Sequence, residues 1–345
     1  MPNDVYDLTI IGAGPAGMFA AFYAGLRAMK TKIIDAKQEM GGFLTSYPEK
    51  TIWDVGGVEP MRCDKLIHIL ENQAKTFHPT VVLGEEVQHL HRHEDNLLEL
   101  TSKCGNKHLT KTVLLCVGRG ITQMERLDVE GADRYELANL YYTIANLENF
   151  RNKQVLISGG GHSAVDWANE LIDYGAKVTV VHRRETFNAL ESHIQQMRKN
   201  TTVKTPYSIH QLHGNGDMIH SVSLRNHQTN DIETVQVDAV VVNHGYSRNY
   251  GPLIDWGLQA AERGIFVDAK MGTGIPGVFG AGDFVNYPSK VQLIAGTFND
   301  AILGVNSAML YMNPEANPVG EVSSHSDIFK ERNRVLREKQ QASHS

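Results

Sequence analysis

The sequence predicts an α/β fold built from two Rossmann-like three-layer domains. Three observations predict it. A strand, glycine-rich turn, helix and second strand open the chain; the same unit recurs near the middle; and the 345 residues, 41% hydrophobic and 21% charged, have a globular composition with enough chain for two cores.

The first unit is "YDLTIIGAGPAGMFAAFYAGLRAMKTKIIDA". It reads as a strand ending at Ile11, the turn Gly12-x-Gly14-x-x-Gly17, an amphipathic helix through about Arg27, and a strand "TKIIDA" ending on Asp35. The second is "KQVLISGGGHSAVDWANELIDYGAKVTVVHRR". Here a strand runs to Ile157, Gly159-x-Gly161-x-x-Ala164 forms the turn, a helix reaches about Tyr174, and a buried strand of four β-branched or equivalent residues, Val178 to Val181, runs into His182, Arg183 and Arg184. In such a turn the first glycine makes the bend, the second lets a pyrophosphate approach the backbone, and the third lets helix and strand pack closely. The phosphate then rests on unpaired N–H groups at the helix start.

The two copies differ where their second strands end. Asp35 stands where a carboxylate accepts hydrogen bonds from adenosine ribose hydroxyls and repels a 2′-phosphate. His182, Arg183 and Arg184 occupy the matching place in the second copy, and guanidinium groups fork onto phosphate. The first copy is therefore expected to hold an unphosphorylated adenosine ribose, as in FAD or NAD, and the second NADP. Two dinucleotides in one chain imply electron transfer between a flavin and a nicotinamide. A third segment supports the flavin: "GVFGAGD" has a short strand to Phe279, a close-passing Gly280-Ala281-Gly282, and Asp283 to meet a polyol, followed by a long helix from about Lys290.

Other classes are disfavoured. The start, "MPNDVYDLTIIGAG", has two acids and no basic region, and no apolar run reaches the roughly 18 residues of a bilayer span, so no membrane association is expected. A net charge of −6 argues against nucleic acid. Cys63, Cys104 and Cys116 are far apart with no Cys-x-x-Cys, which fits a reducing cytoplasm and gives no zinc spacing. His89, His91 and His93 alternate along a strand face, and no metal site is expected there.

"GVFGAGD" resembles the ribityl-binding motif of flavoprotein disulfide reductases, and "TVLLCVGRG" and "VVVNHGYSRN" resemble their crossover segments. "GGGHSAVDWANEL" and "VTVVHRRETF" resemble low-molecular-weight thioredoxin reductases. Where those enzymes carry Cys-x-x-Cys, this chain has Tyr142-Thr143-Ile144-Ala145, so no redox disulfide is expected. "GGFLTSYPEKTIWDVGG", "VVVNHGYSRNYGPLIDWGL", "GDFVNYPSKVQLIAGTFNDA" and "SSHSDIF" resemble the thioredoxin-reductase-like ferredoxin/flavodoxin–NADP reductases of bacteria, over nearly the full length.

That resemblance implies an FAD domain from residues 1–116 and 246–330, an NADPH domain from 117–245 inserted within it, and a C-terminal tail over 331–345. For FAD it implies Gly12, Gly14, Gly17, Asp35 (where the family more often has Glu), Phe43 (where it commonly has Gln), Tyr47 stacking on the isoalloxazine, Val87 and Ile121 lining the adenine and flavin edge, Asp283 on the ribityl chain, His325 over the other ring face, and Ser326. For NADP it implies Gly159, Gly161, His162, Ser163, Ala164, His182, Arg183 and Arg184. The implied reaction is hydride transfer between NADPH and FAD N5, then one-electron exchange with ferredoxin or flavodoxin, in a cytoplasmic homodimer. No side chain is required as acid, base or nucleophile, so no catalytic residue is expected. Two other readings stay open: an NADPH-dependent flavoprotein whose acceptor is a quinone, oxygen or another small molecule, and a non-turnover FAD/NADP redox sensor. The tail "KERNRVLREKQQASHS" carries five basic side chains (Lys330, Arg332, Arg334, Arg337, Lys339) against Glu331 and Glu338, and could steer an acidic carrier or simply fray in solvent.

Overall fold

The computed structural model describes residues 4–120, 123–136, 138–261, 264–324 and 326–342. The chain divides into two compact units, Met1–Ile121 with Asn249–Ser345, and Thr122–Arg248. Among the described residues the α-helices are α1 (Pro15–Leu26), α2 (Cys63–Ala74), α3 (His162–Ile172), α4 (Glu191–Asn200), α5 (Ile294–Met312) and α6 (Lys330–Ala342). None of them is long and apolar enough to cross a membrane.

The first unit is built on a seven-stranded sheet. Thr80–Leu83, Thr31–Asp35, Tyr6–Ile11 and Lys107–Leu115 lie side by side and parallel. The long last strand serves two partners: residues 107–110 pair antiparallel with Leu98–Ser102, while Val113–Leu115 pair parallel with Val278–Gly280. Alternating side chains take opposite faces. Leu8, Ile10, Ile33 and Leu114 meet the helices, packing with Ala20, Ala24, Leu66 and Val305. Ile11, Ile34, Val113 and Leu115 fill the other core with Leu98, Leu100 and Phe284. The central strands Tyr6–Ile11 and Thr31–Asp35 are therefore apolar on both faces, which is why "LTII" and "KIID" read as near-continuous hydrophobic runs.

The second unit has a five-stranded parallel sheet in the order Leu140–Tyr141, Ala239–Val242, Gln154–Ser158, Lys177–Val181, Thr202–Lys204. Helices α3 and α4 cover one face through Trp167, Leu171 and Met197. A three-stranded antiparallel sheet, Tyr207–Asn215, Met218–Asn226 and Ile232–Gln236, covers the other through Ile209, Val222 and Leu224. Both units are thus three-layered.

The crossover residues sort themselves by local pairing. Gln123–Met124 runs antiparallel to Tyr246–Ser247 and stays with the second unit, whereas Gly120 bridges to Asn249 in the first. The division therefore falls a few residues beyond the 116/117 and 245/246 positions that the motifs mark. Helix α5 begins at Ile294, four residues later than the sequence implies, because Leu293 is extended at φ −126° and Lys290 belongs to the preceding turn. The segment read as a tail forms α6.

Candidate functional site

In the first unit the strand Tyr6–Ile11 delivers the chain into the glycine turn. Gly12 adopts φ +107°, and a Cβ there would stand 2.4 Å from the Cys116 carbonyl oxygen, so only glycine fits. A Cβ on Gly17 would lie 1.8 Å from the Gly12 oxygen, which is the close approach of helix to strand. Gly14 caps α1 without a side-chain hydrogen bond, and Pro15 follows as the first helical residue. Those features leave first-turn N–H groups of a 12-residue helix facing outward, where the dipole favours an anion.

Asp35 ends the second strand beside that turn. Its carboxylate accepts from the Ala13 N–H at 2.5 Å and from the Lys37 N–H at 2.8 Å. The two bonds fix its orientation and leave each oxygen one lone pair for a ribose hydroxyl. Lys37 in turn donates to the Gly42 carbonyl at 2.8 Å and to Thr45 Oγ1 at 2.9 Å, holding the loop Gly42–Ser46 against the glycine turn, where a Cβ on Gly14 would stand 3.6 Å from the Gly42 Cα.

Phe43 and Tyr47 leave that loop edge to face, 5.4 Å between centroids. The Arg119 guanidinium lies 4.3 Å from the Phe43 ring, an attractive cation–π geometry. Among the described residues its Nε is buried without a partner, and so is the Tyr250 hydroxyl, whose ring packs at 4.9 Å on Phe284. A Cβ on Gly120 would stand 2.8 Å from Tyr250 Cδ1, so the Tyr250 ring packs against the residue next to Arg119. Buried polar atoms without partners mark a place for a polar ligand. The sequence reading missed both residues, because the family motifs run through the glycines beside them.

Asp283 sits in the turn Gly282–Phe284, half-buried, and among the described residues its carboxylate has no partner. Val87 is buried in the core opposite the helices, so only its backbone is open to a ligand. Ser326 is buried and begins the turn Asp327–Phe329. The Phe329 ring packs 5.6 Å from Phe77, which in turn covers Gly25. Gly25 is at the C-terminal end of α1, about 18 Å along the helix from the glycine turn. The fold thus brings Gly12, Gly14, Gly17 and Asp35 together. Ile121 and His325 lie outside the described residues.

The second unit repeats the turn with different chemistry around it. A Cβ on Gly159 would meet the Asn243 carbonyl at 2.4 Å, while one on Gly161 would meet nothing within 4 Å. Gly161 caps α3 with no side-chain hydrogen bond, and His162 and Ser163 are exposed on the first turn. Ala164 is fully buried and replaces the third glycine. The His182 ring lies against Gly160, where a Cβ would be 2.3 Å away, and packs at 5.2 Å on Phe187. The chain after the arginines folds back, Asn188 donating to the Gly160 carbonyl at 2.8 Å. Arg183 and Arg184 are therefore held at the edge of the turn, exposed, with no acidic partner among the described residues. The adjacent Glu185 carboxylate is occupied elsewhere, accepting from Thr205 at 3.1 Å and Gln228 at 3.4 Å.

His244, which the sequence reading passed over, completes this edge. Its Nε2 is 2.8 Å from Ser158 Oγ at the end of the central strand. The ring is exposed at the surface, yet partial desolvation, and then Arg183, lower its imidazole from the ordinary histidine value; His182 is lowered by desolvation, with Arg184 and Arg183 adding to it. Both rings are thus shifted toward the neutral form beside the positive edge of Arg183 and Arg184. An incoming phosphate would neutralise that edge.

Cysteine chemistry is not prepared at either turn. Cys63 and Cys116 are buried and Cys104 is exposed, all as free thiols. Burial pushes the Cys63 thiol up to about 11.

Comparison with known proteins agrees with this geometry. The pyridine nucleotide-disulphide oxidoreductase family description matches residues 6–297. A ferredoxin–NADP reductase of Bacillus pumilus is 47% identical over 96% of this chain and 97% of its own, and one of Shouchella clausii is 44% identical over 99% and 98%. The thioredoxin reductase of Lactococcus lactis has a similar fold, with a TM-score of 0.74 at 24% identity over 89% of this chain and 98% of that one. The thioredoxin reductase of T. acidophilum gives a TM-score of 0.74 at 22% identity over 91% of this chain and 100% of that one. On the family match and the near full-length identity, the chain belongs to the pyridine nucleotide-disulphide oxidoreductase family.

Proposed function

We propose that this protein is a ferredoxin–NADP reductase that binds FAD in its first unit and NADPH in its second. The observation that carries the reading is the likeness to ferredoxin–NADP reductases along the whole chain, with both glycine turns inside it. The residues fit the two groups. In the first unit, bare backbone at Gly14 and Gly42 would receive a pyrophosphate, Asp35 would orient a ribose, and the unpartnered Asp283 would hold a polyol. Tyr47 and Phe43 would flank the ring system, with Arg119 and Tyr250 as further donors near it. In the second unit, the open space at Gly161 would receive a pyrophosphate, and Arg183 and Arg184 would clamp a 2′-phosphate that Asp35 would reject. His325 and Ile121 remain proposed contacts by resemblance.

When bound, FAD supplies the chemistry that links two-electron hydride transfer to one-electron carriers. The protein's part is to bind, orient and exclude water, so the rate depends on placement more than on acid–base groups. Tyr142-Thr143-Ile144-Ala145 offers no thiol, which disfavours a disulfide acceptor. Flavodoxin as a second carrier, a homodimer and a cytoplasmic location complete the proposal.

The test is NADPH-driven reduction of cytochrome c with and without added ferredoxin or flavodoxin, with NADH as control. Strong dependence on the carrier and preference for NADPH are expected. Rapid flavin reduction without carrier dependence would redirect the assignment to a quinone, oxygen or other small acceptor.

A further inference from the structure

Behind the Gly280–Asp283 turn lies a buried ion pair. Asp300, in α5, is fully buried, and the Lys290 side chain is only 5% exposed. The Lys290 ammonium is bonded directly to Asp300 Oδ2. The same oxygen accepts the Gly282 N–H at 3.1 Å, and Oδ1 accepts the Tyr287 hydroxyl at 2.6 Å. The Tyr287 ring also lies 5.5 Å from the ammonium. Lys290, Tyr287 and the Gly282 amide thus converge on one carboxylate.

Stability alone is a poor reason for this arrangement. Removing two charges from water costs several kcal/mol each, and well-packed apolar residues of similar volume often serve a core as well or better. The location offers a better reason. Asp300 holds Gly282, the residue before Asp283. A Cβ on Gly282 would be 3.0 Å from Ala16 in the first turn of α1 and 3.7 Å from Thr297 in the first turn of α5. Two helix N-termini, each a partial positive charge, therefore meet at the backbone that Asp300 anchors. The local field there is set by both dipoles, one ammonium and one carboxylate. Tyr287 and the Cys116 thiol feel that carboxylate: burial and then Asp300 push the Tyr287 hydroxyl up to about 12 and the thiol higher still.

The geometry points to Lys290 and Asp300 as a balanced pair of positioning residues that fixes the Gly282–Asp283 turn and sets the reduction potential of the flavin bound against it. The inference rests on the FAD assignment above. Negative charge left near an oxidised flavin opposes electron uptake, and positive charge favours it. Opposite variants must therefore move the potential in opposite directions, which loss of packing would not do.

The experiment is a spectroscopic redox titration of the purified FAD-loaded full chain. Lys290→Met is expected to lower the flavin potential and Asp300→Asn to raise it, each changing the reduced-to-oxidised ratio at a fixed potential by about tenfold, about 30 mV for a two-electron couple. The double variant restores neutrality and is expected to return close to the parent. Tyr287→Phe, which removes one hydrogen bond and no charge, is the mild variant if the single-charge variants fail to fold; it is expected to lower the potential by a smaller amount. Same-direction shifts for Lys290→Met and Asp300→Asn, or an unchanged potential in Tyr287→Phe, would overturn the inference while leaving the FAD assignment intact. A parent protein that binds no flavin would overturn both.

Discussion

Replacing Arg183 or Arg184 with alanine tests which dinucleotide the second unit selects. Both guanidiniums are exposed and have no acidic partner among the described residues, so truncation breaks no internal ion pair. A charge-assisted hydrogen bond contributes about 1.5–3 kcal/mol. Solvent exposure argues for the lower end, so each substitution is expected to reduce kcat/KM for NADPH by about tenfold, which corresponds to about 1.4 kcal/mol. The double variant is expected to lose less than the product of the singles, because both groups would grip one phosphate. NADH has no 2′-phosphate, and its kcat/KM is expected to stay within about twofold of the parent. Steady-state rates with both dinucleotides, measured with a saturating artificial acceptor, separate these cases. Preference for NADPH is also expected to weaken as salt is raised, since the contact is at the surface. Equal losses for NADPH and NADH would refute the reasoning, because the arginines would then be acting on the shared part of the ligand or on the fold.

Two turn glycines and His244 make sharper structural tests. Gly161→Ala introduces a Cβ into open space at φ −94°, so the apo protein is expected to keep its thermal midpoint while the KM for NADPH rises by about tenfold or more as a phosphate is displaced from hydrogen-bond distance; an unchanged KM would mean that no phosphate approaches there. Gly17→Ala puts a Cβ 1.8 Å from the Gly12 oxygen and is expected to prevent folding of the first unit, read as loss of soluble yellow protein. For His244, whose ring is exposed, the sign follows from its depressed folded value: the unfolded chain binds more protons below about pH 6.5, so the ring costs no stability above that pH and a small, solvent-screened amount as pH falls through it toward the lowered folded value. Arg183, Glu125, His182 and Ser158 are the groups that face it. His244→Asn, which keeps a polar partner for Ser158, is expected to flatten the fall in thermal midpoint between pH 7.5 and 5.5, and identical slopes would show that His244 does not titrate in this range.

The parts of the site legible in sequence are those whose chemistry is local. Gly12, Gly14 and Gly17 are dictated by a turn that no other residue can make, and Asp35 follows at the distance set by one helix and one strand. Arg183 and Arg184 were readable for the same reason. What escaped the sequence depends on contacts between distant segments. Ser158 and His244 are 86 residues apart, and Gly282 and Asp300 are 18 apart; nothing in either segment alone announces the bond. Lys290 illustrates the consequence. Its place in "YPSKVQLIAG" looks like a helix start, yet burial against Asp300 holds it in the preceding turn. For Val87 the motif position says nothing of which face its side chain takes; in the sheet it is the core face, which leaves its backbone for a ligand.

The C-terminal segment shows why counted charge is a weak guide to steering. Its five basic side chains exceed its two acids, and as a frayed tail they would project a net positive field. As α6 they are largely spoken for. Lys330 pairs with Asp327 at 2.7 Å, and Arg334 spans Glu331 and Glu338, one turn away on either side. Arg332 donates to the Thr76 carbonyl and lies 5.6 Å from the Phe77 ring, directing its charge toward the protein. Arg337 is left exposed. Such i,i+3 and i,i+4 pairs support a polar helix by tenths of a kcal/mol each while cancelling much of the field beyond a Debye length of about 8 Å. Helix α6 is therefore better placed to dock the chain end on Phe77 than to attract an acidic carrier, and deleting residues 330–345 is expected to lower thermal stability more than it raises the carrier's KM at low salt. A large rise in that KM with stability unchanged would restore the steering role.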